Sequence, residues 1–132
     1  YKQSEGKDYT SENDPGVLSV RKIYQYYKKY DYSTIVMGAS FRNTGEIEAL
    51  SGCDRLTIGP NFLEEMRNDS STITRQLSPE MEFPSDLEKI TLDEKLFRWQ
   101  LNEDAMATEK LAEGIRNFSN DLVLLEEFVK QI

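Results

Sequence analysis

The hydrophobic pattern is clearest in the middle of the chain, where two short apolar runs flank a helical stretch. Residues 34–37 and 56–58 are uncharged and rich in β-branched side chains, which is typical of buried strands. Between them, Asn43 and Glu46 have the spacing of a helix cap, and Gly52 is placed to end that helix. The connection suits a crossover helix and is too long for a hairpin. The pattern therefore predicts a βαβ unit with parallel strands.

Helical periodicity precedes and follows this unit. Asp14 and Pro15 are suited to begin a helix, and Gly59-Pro60 is suited to open another. Residues 1–13 and 68–85 lack periodicity, so we expect them to form loops and surface connections. The first helix is expected to pack on the sheet through apolar positions at helical spacing, namely Val17, Val20, Ile23, Tyr24 and Tyr27.

Two more helices are predicted near the end of the chain. One begins at a capping box over residues 91–94, and the other is capped by Asp104. Phe97 and Trp99 are interpreted as core residues rather than as an aromatic platform for a ligand. In the last helix the apolar spacing favours packing against its own protein over a coiled coil, because Gly114 interrupts the seam. That seam consists of Leu111, Ile115, Phe118, Leu122, Leu125 and Val129.

Composition excludes several classes of function. The chain has 132 residues and a formal net charge of −8, which argues against binding to nucleic acid or to an anionic membrane. The basic residues Arg21, Lys22, Lys28 and Lys29 are interpreted as a solvated helix face. There is no transmembrane-length apolar run and Cys53 is the only cysteine, so we expect a cytoplasmic, reduced protein.

Histidine is absent from the sequence, which removes histidine-based catalysis and histidine-ligated metals. We therefore predict no metal site and no cofactor. The lysines lie in polar helix faces or loops, whereas a Schiff-base lysine needs a desolvated position that lowers its pKa. No catalytic residue is predicted in this chain.

A candidate anion site follows the first predicted strand. Ligands of parallel α/β proteins bind at the carboxyl ends of strands, where this sequence places Ser40 and Arg42. The N-terminus of the next helix would add backbone N–H groups. Together these donors suit a phosphate or a carboxylate, although an Arg at this position is also often a surface residue or the partner of a nearby acid. Glu46 and Glu48 on that helix are expected to be solvated.

The chain resembles transaldolases. The most specific run is residues 38–43, Gly-Ala-Ser-Phe-Arg-Asn, and the agreement covers nearly all of the chain except the first dozen residues and the loop around 68–85. The matching segments are residues 14–17, 23–28, 36–43, 52–58, 97–99, 102–104 and 110–116.

The resemblance implies an enzyme of the pentose phosphate pathway with a (β/α)₈ TIM-barrel fold. Such an enzyme transfers a dihydroxyacetone unit from a ketose phosphate to an aldose phosphate through a lysine Schiff base. Because these barrels need about 250 residues, residues 1–132 are expected to form the C-terminal segment of one barrel domain. This segment would hold strands seven and eight and the terminal helices.

Within the resemblance, Ser40 and Arg42 match the family's contacts with the substrate phosphate. The Schiff-base lysine and the other catalytic residues belong to earlier strands, so the segment alone is expected to be inactive. Its partners would be sugar phosphates and the N-terminal half of the same barrel, and the sequence leaves open whether it forms a homodimer. The alternative is a non-catalytic acidic interaction module that associates through its C-terminal helix.

Overall fold

The structure is an α/β arrangement of helices and one small parallel sheet. The computed structural model describes residues 9–132, and the chain divides into two compact units, Tyr1–Lys89 and Ile90–Ile132. The first unit contains α1 (Pro15–Lys29), β1 (Met37–Gly38), α2 (Thr44–Ala49), β2 (Arg55–Leu56) and α3 (Pro60–Asn68). The second unit contains α4 (Glu94–Glu103) and α5 (Ala105–Val129).

The predicted parallel βαβ unit is confirmed. Met37 of β1 pairs with Arg55 of β2, and Gly38 pairs with Leu56, in a parallel register. The hydrogen bonds of this ladder include those from Arg55 N to Val36 O at 3.1 Å and from Thr57 N to Gly38 O at 2.9 Å. The strands have two residues each and overlap the predicted runs only at Met37 and Leu56, because the register pairs Met37–Gly38 with Arg55–Leu56 instead of residues 34–37 with 56–58.

The cap predicted for α1 is present. The Asp14 carboxylate accepts hydrogen bonds from Gly16 N at 2.7 Å and Val17 N at 3.3 Å, and Pro15 occupies the first turn. Residues 1–8 of the predicted N-terminal loop lie outside the described residues, and Ser11–Asn13 forms a short 3₁₀ helix instead of a loop.

Helix α1 supplies two residues of the core of the first unit. Val17 and Tyr24 are buried, with Val20 and Tyr27 packed beside them, whereas Ile23 is exposed, contrary to its predicted place on the apolar face. The buried cluster brings α1, the first strand and α2 together, and it comprises Val17, Tyr24, Val36, Ala49, Leu50 and Leu77.

Leu77 is a core residue that hydrophobic periodicity does not predict, because it lies in the non-periodic connection over residues 68–85. Its side chain is completely buried. The backbone N–H groups of Gln76 and Leu77 both donate to Ser51 O at 2.9 Å, and the Ser51 hydroxyl donates to Thr74 O at 2.7 Å. These bonds hold the connection against the end of α2, so one part of it is structural rather than a surface loop.

Gly52 lies where this connection passes close to the end of α2. Helix α2 ends at Ala49, and Gly52 follows with φ +96°, a conformation that favours glycine. A Cβ atom there would lie 2.0 Å from Leu77 O. Gly52 is therefore required both by its backbone conformation and by the close approach of the chain.

Lys28 and Lys29 were predicted to belong to a solvated helix face, but both side chains bind other parts of the protein. Lys28 Nζ lies 2.8 Å from Asp54 Oδ1 and donates to Asp54 Oδ2 at 2.9 Å. The same Oδ2 atom also accepts a 3.0 Å hydrogen bond from Val36 N. Lys29 Nζ donates to Pro84 O at 3.0 Å and to Leu87 O at 2.8 Å. Both lysines bind segments distant in sequence, which helical periodicity does not reveal.

The caps of the second unit differ partly from the prediction. Asp93, not Thr91, caps α4, and its carboxylate accepts from Leu96 N at 2.7 Å. Asp104 caps α5 as predicted, accepting from Ala107 N at 3.0 Å. The capping-box pattern therefore located the helix start but assigned the wrong capping residue.

The apolar residues of the second unit are exposed. Phe97 and Trp99 are 52% and 64% exposed, so the prediction that they are core residues is wrong for this chain. The seam of α5 is also exposed, with Phe118 at 76%, although packing against its own protein was the favoured prediction. Within residues 9–132 no helix has the length and apolarity needed to cross a bilayer.

Replacing Gly52 with Ala is expected to destabilise the first unit by more than about 2 kcal/mol, because the new methyl group would meet the Leu77 carbonyl at a positive φ. Urea unfolding followed by circular dichroism and Tyr fluorescence measures the change. The matched control is Gly114→Ala, where nothing lies within 4 Å of the added atom. Since Gly114 is in a helix, this control is expected to stabilise α5 by up to about 1 kcal/mol.

The pairing of Asp54 with Lys28 predicts a pH dependence of stability. Burial raises the pKa of the Asp54 carboxyl, but hydrogen bonds from Lys28 and Val36 N and the charges of Lys28 and Arg55 bring it below its ordinary value of 3.8. A carboxylate with a lowered pKa in the folded state stabilises the fold above its unfolded pKa, and this stabilisation is lost as the pH falls through the folded-state pKa.

Asp54→Asn is therefore expected to destabilise the chain by about 1–2 kcal/mol at pH 7. The difference from the unchanged protein should shrink as the pH falls below the ordinary value of 3.8 and be lost as the pH passes the folded-state pKa of Asp54. Urea titrations from pH 2 to pH 8 measure both values, with the exposed Asp121→Asn as a control for the loss of one negative charge. A difference that does not change with pH would show that the pair does not act through its ionisation.

Candidate functional site

The predicted site residues follow β1 directly and lie together. Ser40 adopts φ +62°, a left-handed conformation that is uncommon for residues other than glycine. It turns the chain between Gly38 and the start of α2, and both Ser40 and Arg42 are exposed in this turn. The structure therefore places the two residues at the carboxyl end of a parallel strand, as the sequence predicted.

Arg42 forms an ion pair with a residue on another element. Its Nη1 atom lies 2.9 Å from Asp14 Oδ2, and the Arg42 side chain is 63% exposed whereas that of Asp14 is 12% exposed. The other oxygen of Asp14 caps α1. Asp14 thus connects the start of α1 to the loop after β1.

Glu46 is buried, so the prediction that it is solvated is wrong. Its residue exposure is 6%, and its Oε2 atom accepts a 2.9 Å hydrogen bond from Arg42 N. Its Oε1 atom accepts from Asn43 Nδ2 at 3.2 Å and lies 3.8 Å from Arg42 Nη1. Glu46 fixes the backbone of the loop, and its hydrogen bonds and ion pair offset the cost of burying its carboxylate.

The helix that follows the loop contributes less to an anion site than the sequence suggested. Asn43 Oδ1 accepts hydrogen bonds from Glu46 N at 3.0 Å and from the Ser11 hydroxyl at 2.9 Å, and α2 has only six residues. The N–H groups of Arg42 and Glu46 are therefore occupied by side chains of the loop itself. Anion binding at this loop would depend on Arg42 and Ser40 more than on the helix terminus.

Two carboxylates beside one guanidinium leave this cluster without a net positive charge. Asp14 and Glu46 both approach Nη1 of Arg42. A general attraction for anions is therefore weak here, and recognition has to come from directed hydrogen bonds of the exposed part of the guanidinium.

A cavity of about 190 Å³ adjoins these residues. Complete small-molecule pockets usually measure about 300–1,000 Å³, so this cavity accommodates only part of a substrate. Its polar lining includes both predicted site residues, and the whole lining is Asp14, Gly16, Val17, Val20, Ala39, Ser40, Phe41, Arg42, Glu46 and Leu50. Within residues 9–132 no group of three or more potential metal-ligating side chains comes together.

Sequence reasoning missed the contribution of Asp14 and Glu46 to this site. Both residues had capping signals, Asp14 before Pro15 and Glu46 three residues after Asn43. The sequence also left open that Arg42 pairs with a nearby acid. Only the packing of α1 beside the end of β1 identifies that acid as Asp14.

The structure has a parallel strand pair joined by a crossover helix, with polar donors after the first strand. These features define an α/β protein, a class that binds ligands at the ends of its strands. Residues 1–129 match the family described as Transaldolase/Fructose-6-phosphate aldolase. The chain therefore belongs to the transaldolase/fructose-6-phosphate aldolase family.

Individual relatives are highly similar over the whole chain. A protein named Transaldolase from Rhizobium etli is 63% identical over 131 residues, which cover 99% of this chain and 40% of the relative. Transaldolase from Marinomonas sp. is 57% identical over 132 residues, covering 100% of this chain and 41% of the relative. Transaldolase from Bos taurus is 60% identical over 125 residues, covering 95% and 37%. The chain spans about 40% of the length of these relatives.

Proposed function

We propose that this chain is the C-terminal segment of a transaldolase and supplies part of its substrate phosphate site. The complete enzyme would transfer a dihydroxyacetone unit from sedoheptulose 7-phosphate or fructose 6-phosphate to an aldose phosphate through a lysine Schiff base. The observation that carries the proposal is the loop after β1, where Ser40 and Arg42 line one cavity at a strand end. Membership of the family supports the reaction class.

The proposal places β1 and β2 as the seventh and eighth strands of a TIM barrel. Their parallel pairing and the helices around them are the repeating pattern of such a barrel. Two strands cannot close a barrel, and edges of open sheets tend to pair with other strands. The rest of the barrel would supply neighbours for these strands, which accords with a chain that spans about 40% of its relatives.

In this reading Arg42 binds the phosphate of the sugar through the part of its guanidinium that faces solvent. A planar guanidinium matches two phosphate oxygens at once, and the Ser40 hydroxyl would add a further donor. Binding the phosphate fixes one end of the substrate, so that the reacting carbons are held at the catalytic groups.

The environments of three lysines among the described residues accord with a Schiff-base residue elsewhere in the complete enzyme. Lys28 is paired with Asp54, and Lys29 donates to two backbone carbonyls. The hydrogen bond with Glu113 raises the pKa of Lys110, whereas a nucleophilic amine needs a lowered pKa. These polar partners are the opposite of an apolar, desolvated site.

The exposed apolar face of α5 favours a packing partner for the second unit. Under this proposal the partner is the remainder of the same protein. The alternative is a non-catalytic module that associates with another chain through this face, which the same exposure of Phe118 and its neighbours also supports. The transaldolase proposal predicts that the segment forms part of an active enzyme, whereas the interaction-module alternative predicts that it does not.

A chimera tests the proposed function. Replacing the matching 131 residues of the Rhizobium etli relative with this chain is expected to give an active transaldolase, because the segment would complete the barrel. The 132-residue chain alone is expected to be inactive. A coupled assay for transfer from fructose 6-phosphate to erythrose 4-phosphate measures both. A chimera that folds but has no activity would contradict the proposal and favour the interaction module.

Arg42→Ala in this chimera is expected to raise KM for phosphorylated substrates by about ten- to a hundredfold, as the loss of a charge-assisted contact costs about 1.5–3 kcal/mol. The kcat value should change less. Arg98→Ala is the matched control, because Arg98 is also exposed and pairs with a carboxylate at 2.9 Å. An unchanged KM in a folded Arg42 variant would remove Arg42 from the site.

A further inference from the structure

Asp14 is held more rigidly than the arginine it contacts. One of its oxygens accepts from Gly16 N at 2.7 Å and from Val17 N at 3.3 Å, and only 8% of the residue is exposed. The orientation of the carboxylate is therefore fixed by the first turn of α1. Its second oxygen is left to accept from Arg42 Nη1 at 2.9 Å.

Arg42 needs such a contact because its side chain is long and largely exposed. Four side-chain torsions separate the guanidinium from the backbone, and Glu46 fixes only the backbone end through the 2.9 Å bond from Arg42 N. The 3.8 Å separation between Arg42 Nη1 and Glu46 Oε1 is an ion pair without a short hydrogen bond. Asp14 therefore provides the short contact that orients the guanidinium.

From this geometry we propose that Asp14 is a positioning residue for substrate phosphate. It would hold the Arg42 guanidinium by Nη1, so that the remaining N–H groups are directed toward the phosphate. The proposal rests on the proposed function of Arg42. It adds a residue on a different element, since Asp14 belongs to the start of α1 and the phosphate-binding loop follows β1.

Two effects of the Asp14 carboxylate oppose each other. Its negative charge repels a bound phosphate, and each unit of phosphate charge 4 Å away in water weakens binding by about fivefold, an effect that falls with distance and with salt. The rotamer freedom of an unrestrained Arg side chain corresponds to about thirtyfold in affinity. The exposed part of the Arg42 side chain, 63% of it, faces water, so a phosphate bound there would be farther from Asp14 than from Arg42 and partly screened by solvent. We therefore expect the orienting effect to be the larger one.

Asp14→Ser separates this role from capping. Ser is also a good N-cap residue, but its short side chain cannot extend a second oxygen to Arg42. In the chimera described above, this variant is expected to raise KM for phosphorylated substrates, and Ki for inorganic phosphate as a competitive inhibitor, by about five- to tenfold. The matched control is Asp93→Ser, because Asp93 caps α4 through a similar 2.7 Å bond from Leu96 N.

The double variant Asp14→Ser/Arg42→Ala decides whether Asp14 acts through Arg42. If it does, the double variant has KM and Ki no higher than those of Arg42→Ala alone, and lower ones to the extent that the Asp14 charge repels phosphate. Additive increases, or an unchanged or lower Ki in folded Asp14→Ser, would overturn the positioning role. If Arg42→Ala itself leaves KM and Ki unchanged, the proposed phosphate function fails instead, so the two failures are distinguishable. Thermal unfolding of each variant verifies that the cap is kept.

Discussion

The parallel pairing of β1 with β2 is the constraint on which the first unit depends. Parallel strands cannot be joined by a tight turn, so the chain must leave the end of β1, cross as a helix and return. The crossover places the loop of Ser40 and Arg42 at the strand end and brings α2 against α1 in a common core. With only two residue pairs in the ladder, the buried side chains have to supply most of the stability.

The site is built from contacts that serve two purposes. Asp14 caps α1 and binds Arg42, and Glu46 belongs to α2 and fixes the backbone of the Arg42 loop. Side chains at the N-termini of two helices thus also organise the candidate phosphate-binding loop. The carboxylates of Asp14 and Glu46 cancel the positive charge of Arg42. An anion at this loop would therefore be recognised by directed hydrogen bonds more than by net charge. The cavity of about 190 Å³ has room for only part of a typical small-molecule ligand.

The second unit exposes most of its apolar side chains. Helix α5 carries a regular apolar seam that is exposed along its length, from Leu111 to Val129. A surface of this kind usually marks an interaction site. The sequence pattern identified the seam correctly, but periodicity states only that one face is apolar. It contains no information about which part of the protein, or which partner, covers that face.

The sequence by itself determined the local structure. The Asp14 and Asp104 caps and the crossover helix follow from short-range steric and hydrogen-bonding preferences. The length of the connection between the apolar runs requires parallel strands and places Ser40 and Arg42 at a strand end. Tertiary structure decided the rest: the burial of Leu77 and Glu46, the pairing of Lys28 with Asp54, and the choice of Asp14 as the partner of Arg42. These contacts join residues far apart in the chain or depend on packing between elements. Their partners are set by how helices pack on the sheet, which periodicity and spacing do not encode.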